Sequence, residues 1–185
     1  MLERAYRYVL ERGLADLSLR PLAAAIGSSP RVLLFLFGTK EGIVRALLAR
    51  ARQDELALLK RLGDAGTGDA NLGLDLVVAE LWRWLAAEEH RALLVLWVEA
   101  YARSLTDPDG PWGDFARASV TDWLDVLNAA QARDERSTPA GEVECTLALA
   151  LLRGALLDLL ATGDADRTTA AVHHQLAVMK TRARR

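Results

Sequence analysis

Three basic side chains each lie at the start of a predicted helix in the first quarter of the chain: Arg20, Arg31 and Lys40. An arginine can donate two hydrogen bonds to O6 and N7 of one guanine in the DNA major groove. A lysine beside the exposed amides of a helix start can bind a phosphate. These residue types therefore suit base recognition by Arg20 and Arg31 and backbone attachment by Lys40, although simple solvation explains Lys40 equally well when it is taken alone.

Two short helices joined by a tight turn must position these side chains. Ser18 is an N-cap residue before the first helix, and Gly27 ends that helix because glycine tolerates a left-handed conformation. Ser29 followed by Pro30 begins the second helix, which runs for about two turns to Phe37. This pattern is typical of a helix-turn-helix motif.

The neighbouring segments complete a compact head. Residues 2–13 predict a supporting helix that Gly13 ends. Gly38 ends the second short helix, and Thr39 caps a helix that continues to about Leu62. One long helix therefore joins the head to the rest of the chain.

The run from Leu2 to about Ala49 resembles the DNA-binding head of the TetR family of bacterial transcriptional regulators. The matching pieces are ERGLADLSLRPLAAAIG, SSPRVLLFLFG and TKEGIVRALLARA. In that family the second short helix contacts bases and the lysine after it contacts a phosphate. By position, the resemblance implies DNA contacts from Arg20, Pro30, Arg31, Val32, Leu34, Phe35 and Lys40.

The second short helix departs from the family pattern. A tyrosine and a histidine commonly contact phosphates there, whereas this chain has Leu34 and Leu36, which donate no hydrogen bond. If Leu34 faces DNA, it can make only an apolar contact, for example with a thymine methyl. We expect Leu33 and Phe37 to be core residues, and the pattern leaves open whether Leu34 and Leu36 are core or surface.

The remaining chain predicts an all-α fold with about nine helices. After a loop at Gly63 to Asp69, helices are expected at about 70–87, 89–106, 112–133, 139–162 and 164–182, with no strand. We divide the chain into a three-helix helix-turn-helix domain, 1–45, and a larger helical ligand-binding and dimerisation domain, 46–185. Residues 1–50 carry eight basic and four acidic side chains, a net charge of +4, while the rest carries −6. This asymmetry favours a polyphosphate partner for the first part alone.

Several function classes have no support in the sequence. Three histidines and one cysteine form no metal-spaced cluster, and the Gly63 to Asp69 loop fits no phosphate-binding motif, so we expect no catalytic residue, no cofactor and no metal. Cys145 lies among apolar residues and is predicted to be a small core side chain. No central uncharged stretch reaches the ~20 residues of a membrane span, so a cytoplasmic protein without a membrane partner is expected.

All five tryptophans lie beyond the head, where a regulator of this kind would enclose an effector. Such pockets are mostly apolar, which predicts a largely apolar small molecule. The ligand-binding residues predicted on this basis are Trp82, Trp97, Tyr101, Phe115 and Trp123. Glu99 could be a counterion for a cationic ligand, but its helical spacing from Glu88 and Arg103 favours a solvated stripe.

The segment 139–162 is apolar around most of its circumference. Such a helix is either central in its own domain or shares a face with another chain, and we expect a homodimer through residues 139–182. Gly154 would allow close approach of two helices. His173 and His174 point about 100° apart, which suits surface or interface roles better than joint metal binding.

Together these features predict a ligand-responsive DNA-binding transcriptional regulator. We expect a homodimeric repressor that a small molecule releases from a palindromic double-stranded operator. The alternative is a TetR-like ligand-binding protein with weakened or lost sequence-specific DNA binding, which Leu34 and Leu36 suggest. An enzyme or simple ligand carrier is the interpretation from a different class, and the absence of catalytic motifs argues against it.

Overall fold

The computed structural model of the protein describes residues 1–14, 17–66, 73–136 and 138–183. Within those ranges the chain forms nine α-helices, a 3₁₀-helix at Glu88–His90 and no strand. The α-helices are α1 (Leu2–Arg12), α2 (Leu19–Ala25), α3 (Pro30–Phe37), α4 (Lys40–Gly66), α5 (Leu74–Leu85), α6 (Arg91–Thr106), α7 (Phe115–Ala130), α8 (Pro139–Thr162) and α9 (Ala165–Ala183). The predicted all-α class and helix number are confirmed.

Residues Met1–Leu56 and Ala92–Ser119 form one compact unit, here unit 1. Each of its short helices buries one apolar face. In α1 this face comprises Ala5, Tyr6 and Val9. Leu96 and Ala100 of α6 are buried in the same core. The helix-turn-helix region is therefore supported by part of α6 as well as by its own helices.

Residues Ala57–Arg91 and Val120–Arg185 form the second compact unit, unit 2. Here α5, α8 and α9 pack against one another. Trp82 of α5 is buried, and its indole N–H donates to the Thr169 hydroxyl of α9 at 3.1 Å. The predicted domain boundary after residue 45 falls inside α4, which contributes residues to both units.

Helix α8 has two apolar faces. The inner face is buried and comprises Cys145, Ala148, Leu149, Leu152, Leu156 and Leu159. The outer face, here called the α8 strip, is exposed and comprises Val143, Leu147, Ala150, Gly154, Leu157 and Ala161. These residues follow one another at alternating intervals of four and three positions. By length and hydropathy α8 could also cross a membrane, and so could α2 and α3 if counted as one bent span, but a core helix of a soluble protein passes the same test.

Two predicted helix boundaries and one predicted capping hydrogen bond need correction. Helix α4 continues through Gly63 to Gly66, so this part of the predicted loop is helical, while residues 67–69 lie outside the described residues. Helix α7 begins at Phe115 instead of residue 112, because turns occupy the Pro- and Gly-containing segment before it. Ser18 occupies the N-cap of α2, but its side chain makes no capping hydrogen bond.

Candidate nucleic-acid interface

The chain bends by 101° between α2 and α3. This angle lies within the range of about 90–120° that helix-turn-helix motifs adopt. Leu22 of α2 and Leu33 of α3 are fully buried in the core of unit 1, and Ile26 between the helices is 5% exposed. The buried side chains thus hold α3 at a defined angle on its supporting helix.

The sequence signals at both ends of α3 form as predicted. The Ser29 hydroxyl accepts a hydrogen bond from the Val32 N–H at 3.3 Å, and Pro30 occupies the first turn. Gly38 ends the helix with φ of +76°, a conformation that a residue with a side chain rarely adopts. Helix α3 is therefore a short, capped rod.

One side of α3 packs inward and the rest is exposed. Leu33 is buried and Phe37 is partly buried against the same core. Leu34 is 38% and Leu36 51% exposed, so both belong to the surface. The structure thereby resolves the alternative that the sequence left open for these two leucines.

The seven predicted DNA-binding residues are all accessible in unit 1. Pro30 is partly exposed, and the exposed members are Arg20, Arg31, Val32, Leu34, Phe35 and Lys40. Phe35 is 87% exposed, the largest exposed fraction among the large apolar side chains that are exposed in the described residues. The assignment of these residues to DNA stays a prediction, since their exposure alone does not identify what they bind.

The backbone at the start of α4 lies very close to the backbone at the end of α3. The Thr39 hydroxyl accepts the Gly42 N–H at 3.0 Å, and a Cβ on Gly42 would lie 2.0 Å from the Phe37 carbonyl oxygen. Only glycine fits such a close backbone approach. Hydrogen bonds to its own backbone and to Thr39 lower the pKa of Glu41, and Lys40 beside it remains exposed.

A polar network attaches α1 to α4 within unit 1. The Tyr6 hydroxyl donates to Asp54 at 3.0 Å, while Arg50 pairs with Asp54 and with Glu3, the latter at 2.7 Å. Burial and then the hydrogen bond to Asp54 raise the pKa of Tyr6. Hydrogen bonds to Asp54 and Glu3 raise the pKa of Arg50. The network holds the first helix against the helix that begins with Lys40.

Glu99 has a role that the sequence interpretation missed. Its Oε2 accepts the Leu14 N–H at 2.9 Å, and its Oε1 is buried without a hydrogen-bond partner among the described residues. The expected solvated stripe with Glu88 and Arg103 is therefore wrong, because Glu99 turns toward the segment after α1. Helical spacing could not reveal this contact, since Leu14 is 85 residues away in sequence.

The five predicted ligand-binding aromatics divide between the two units. Trp97, Tyr101 and Phe115 lie in unit 1, and Trp82 and Trp123 lie in unit 2. Trp97 and Tyr101 are partly buried with ring centroids 5.1 Å apart, and the Trp97 indole N–H donates to the Ser119 hydroxyl at 3.2 Å. The other three are at most 8% exposed. Two cavities of unit 2, of about 420 and 470 Å³, are lined by other residues.

Three further reactive side chains, Cys145, His173 and His174, lie in unit 2. Cys145 is buried, which confirms it as a core residue, and burial raises the pKa of its thiol to about 11. His173 and His174 are exposed on α9. Among the described residues, no group of three or more His, Cys, Asp or Glu side chains is arranged to hold a metal ion.

Solved structures with the same fold were found for nearly the whole chain. A TetR-family transcriptional regulator from Rhodococcus sp. superposes with a TM-score of 0.67 over 96% of this chain and 95% of its own, at 19% identity. A TetR transcription regulator from Haloarcula marismortui gives a TM-score of 0.67 over 94% of this chain and 90% of its own, at 21% identity. The chain has the TetR-family fold.

The match of folds confirms the resemblance that the N-terminal motifs suggested. It also includes the helices that follow those motifs. No protein-family model matches the sequence, and no curated protein matches it significantly. Both TetR-fold neighbours are named as TetR transcription regulators.

Proposed function

We propose that the protein is a TetR-like transcriptional repressor that binds double-stranded DNA as a homodimer and is released by a small molecule. The observation that carries the proposal is the exposed side of α3, which bears Arg31 and stands at 101° to α2. A capped helix of this length fits the DNA major groove. Lys40, exposed at the start of α4, is suited to hold a phosphate beside it.

The α8 strip supports a homodimer. Val143, Leu147 and Leu157 are each more than half exposed and follow the spacing by which paired helices interlock. A Cβ added to Gly154 would meet no atom within 4 Å, so a second helix could approach closely there. A symmetric pair of heads requires a palindromic operator, with half-sites about 34 Å apart.

The proposed effector is a largely apolar small molecule that binds at the predicted aromatic side chains of unit 1, Trp97, Tyr101 and Phe115. Trp97 and Tyr101 have the most accessible rings of this group. They share α6 with Glu99, which is hydrogen-bonded to the segment after α1. A shift of α6 on effector binding would therefore act on the DNA-binding helices, and dimers with altered head spacing would leave the operator. The proposed compartment is the cytoplasm.

The second candidate is a protein of the same fold that binds a ligand but has lost sequence-specific DNA binding. The observation that favours it is the exposure of Leu34 and Leu36, which cannot hydrogen-bond phosphates or bases. The two candidates make the same predictions for ligand binding and dimerisation. They differ only in the behaviour of α3 toward DNA.

The test is a selection of binding sequences from a random duplex library, followed by fluorescence anisotropy with the selected site and with DNA flanking the protein's own gene. A repressor yields a palindromic sequence that binds about 10³-fold or more tightly than random DNA. Lys40→Ala should weaken binding to every sequence and reduce the salt slope by about one. Arg31→Ala should reduce discrimination at one base pair by about tenfold or more.

Arg83→Ala is the matched control, because Arg83 is exposed on α5 and pairs with Glu80. It removes the same charge as Arg31→Ala but outside unit 1, so its DNA affinity should stay close to that of the unmodified protein. Binding without sequence preference, equal in all variants, would support the second candidate and exclude the repressor.

A further inference from the structure

The exposed surface of α3 is almost entirely apolar. Its sequence, PRVLLFLF, contains one side chain that can donate a hydrogen bond, Arg31. Val32, Leu34, Phe35 and Leu36 are all exposed, from 38% for Leu34 to 87% for Phe35. Four exposed apolar side chains on an eight-residue helix are an unpartnered face that water does not favour.

Arg31 and Phe35 dominate this face. They are four residues apart and so lie one above the other on the same side of the helix. Leu33 and Phe37 point into the core, which turns Arg31 and Phe35 outward. The distance between them along the helix axis is about 6 Å, the rise of four residues.

The chemistry of the major groove restricts what such a face can recognise. Each base pair shows hydrogen-bond donors and acceptors there, and the 5-methyl group of thymine is the one apolar group in the pattern. Arg31 can bind O6 and N7 of a guanine. The phenyl ring of Phe35, one turn further along α3, can make a favourable apolar contact with a methyl group but cannot hydrogen-bond to the edge of a base.

Charge favours DNA as the occupant of this face over a second apolar surface. Arg20, Arg31, Lys40 and Arg45 are exposed in the same unit, and the first 50 residues carry a net charge of +4. Two copies docked face to face through α3 would bring these like charges together. A polyphosphate partner neutralises them instead.

We infer that α3 recognises a thymine-containing half-site in which Phe35 packs against a thymine 5-methyl group within about two base pairs of a guanine bound by Arg31. Leu34, Leu36 and Val32 exclude water around this contact and favour further thymines beside it. The inference rests on the proposed function, because it names the DNA that the proposed repressor binds.

The test replaces thymine with deoxyuridine in the selected operator, which removes only the methyl group. Anisotropy titrations measure affinity with uracil at each thymine in turn, in both half-sites. Each contacted methyl should contribute about fourfold, which corresponds to ~0.8 kcal/mol per buried methyl-sized group. Uracil at thymines outside the protected footprint is the control on the DNA and should change nothing.

Phe35→Ala is the decisive variant, since Phe35 is exposed and its truncation does not disturb the core. Its affinity should be lower on thymine DNA and insensitive to uracil at the contacted position, so that the two changes are not additive. Leu105→Ala is the matched control, because Leu105 is 66% exposed on α6. It should keep the full response to uracil.

Three other results would overturn the inference in distinguishable ways. Sequence-specific binding that ignores every uracil would refute thymine recognition while leaving the proposed function intact. A Phe35→Ala protein that binds DNA normally but changes its mass in sedimentation would identify the α3 face as a contact with a second copy. Absence of any sequence-specific binding would refute the proposed function itself.

Discussion

Replacing Glu99 with alanine should destabilise the protein although the residue lies outside the helix-turn-helix region. Glu99 Oε2 accepts the N–H of Leu14, a residue that is only 3% exposed. In Glu99→Ala that N–H loses its acceptor while the surrounding side chains still keep water away. An unsatisfied buried donor costs about 1–3 kcal/mol, and a hydrogen bond to a charged group contributes up to about 3 kcal/mol. Removal of Oε1, which is unpartnered within the described part of the chain, offsets part of this cost, so we expect a net loss of roughly 2 kcal/mol in the free energy of unfolding.

Glu99→Gln separates the hydrogen bond from the charge. The amide oxygen of glutamine can still accept the Leu14 N–H, but a neutral bond contributes about 0.5–1.5 kcal/mol against about 1.5–3 kcal/mol for a bond to a charged group. This variant should therefore lose about 1 kcal/mol, less than Glu99→Ala. A purely steric contribution of the side chain predicts no loss for glutamine.

The measurement is urea unfolding followed by far-ultraviolet circular dichroism, at one fixed protein concentration because dimer formation shifts apparent stability. A thermal scan should show a Tm decrease of about 4–8 °C for Glu99→Ala, at ~2–4 °C per kcal/mol for a protein of this size. The control is Glu88→Ala, since Glu88 is an exposed glutamate in the stripe that the sequence suggested. It should change stability by less than about 0.5 kcal/mol. Equal, small effects of Glu99→Ala and Glu88→Ala would mean that Glu99 is solvated after all.

Three further predictions concern other regions of the molecule. Leu157→Glu places a charge in the α8 strip and removes an apolar contact of ~1.5–3 kcal/mol. In sedimentation velocity the dimer of this variant should dissociate at least tenfold more readily, whereas the control Leu105→Glu should sediment with the mass of the unmodified dimer. The pKa of Tyr6 is raised above its ordinary value of 10.0, so the folded chain keeps that proton when the unfolded chain has lost it. The stabilising contribution of Tyr6 should be fully present below about pH 10 and be lost as the pH rises above it. Between about pH 9 and 11, the free energy of unfolding of Tyr6→Phe should therefore fall less than that of the unmodified protein. Because burial raises the pKa of the Cys145 thiol to about 11, a thiol reagent should label the native protein many-fold more slowly than the urea-unfolded chain, and equal rates would contradict its burial.

The sequence was sufficient for α3 because its determinants are local. Ser29, Pro30 and Gly38 mark the ends of the helix through contacts made within a few residues. The spacing of apolar residues likewise predicted nearly all of the other helices, since a 3.6-residue period needs no knowledge of the partner surface. Local signals failed at α4, where the helix continues past Gly63, a residue that only weakens a helix.

The candidate site was only partly contained in the sequence. Position relative to the TetR pattern named the α3 residues, and Leu33 was correctly predicted to be a core residue, but an apolar helix gives no local signal for whether Leu34 and Leu36 face inward. Leu33 turned inward and Leu34 and Leu36 outward because α2 supports one side of α3. The angle of 101° between those helices is likewise a property of their packing.

The sequence by itself determined the all-α class, the approximate positions of the helices and both ends of α3, because capping, glycine conformations and apolar periodicity act over a few residues. Only the tertiary structure decided which apolar residues remain exposed on α3 and α8, and that Glu99 joins α6 to Leu14. Those outcomes depend on residues far apart in the chain that meet only when the core forms. Their free energy comes from burial and from long-range hydrogen bonds, which no short stretch of sequence contains.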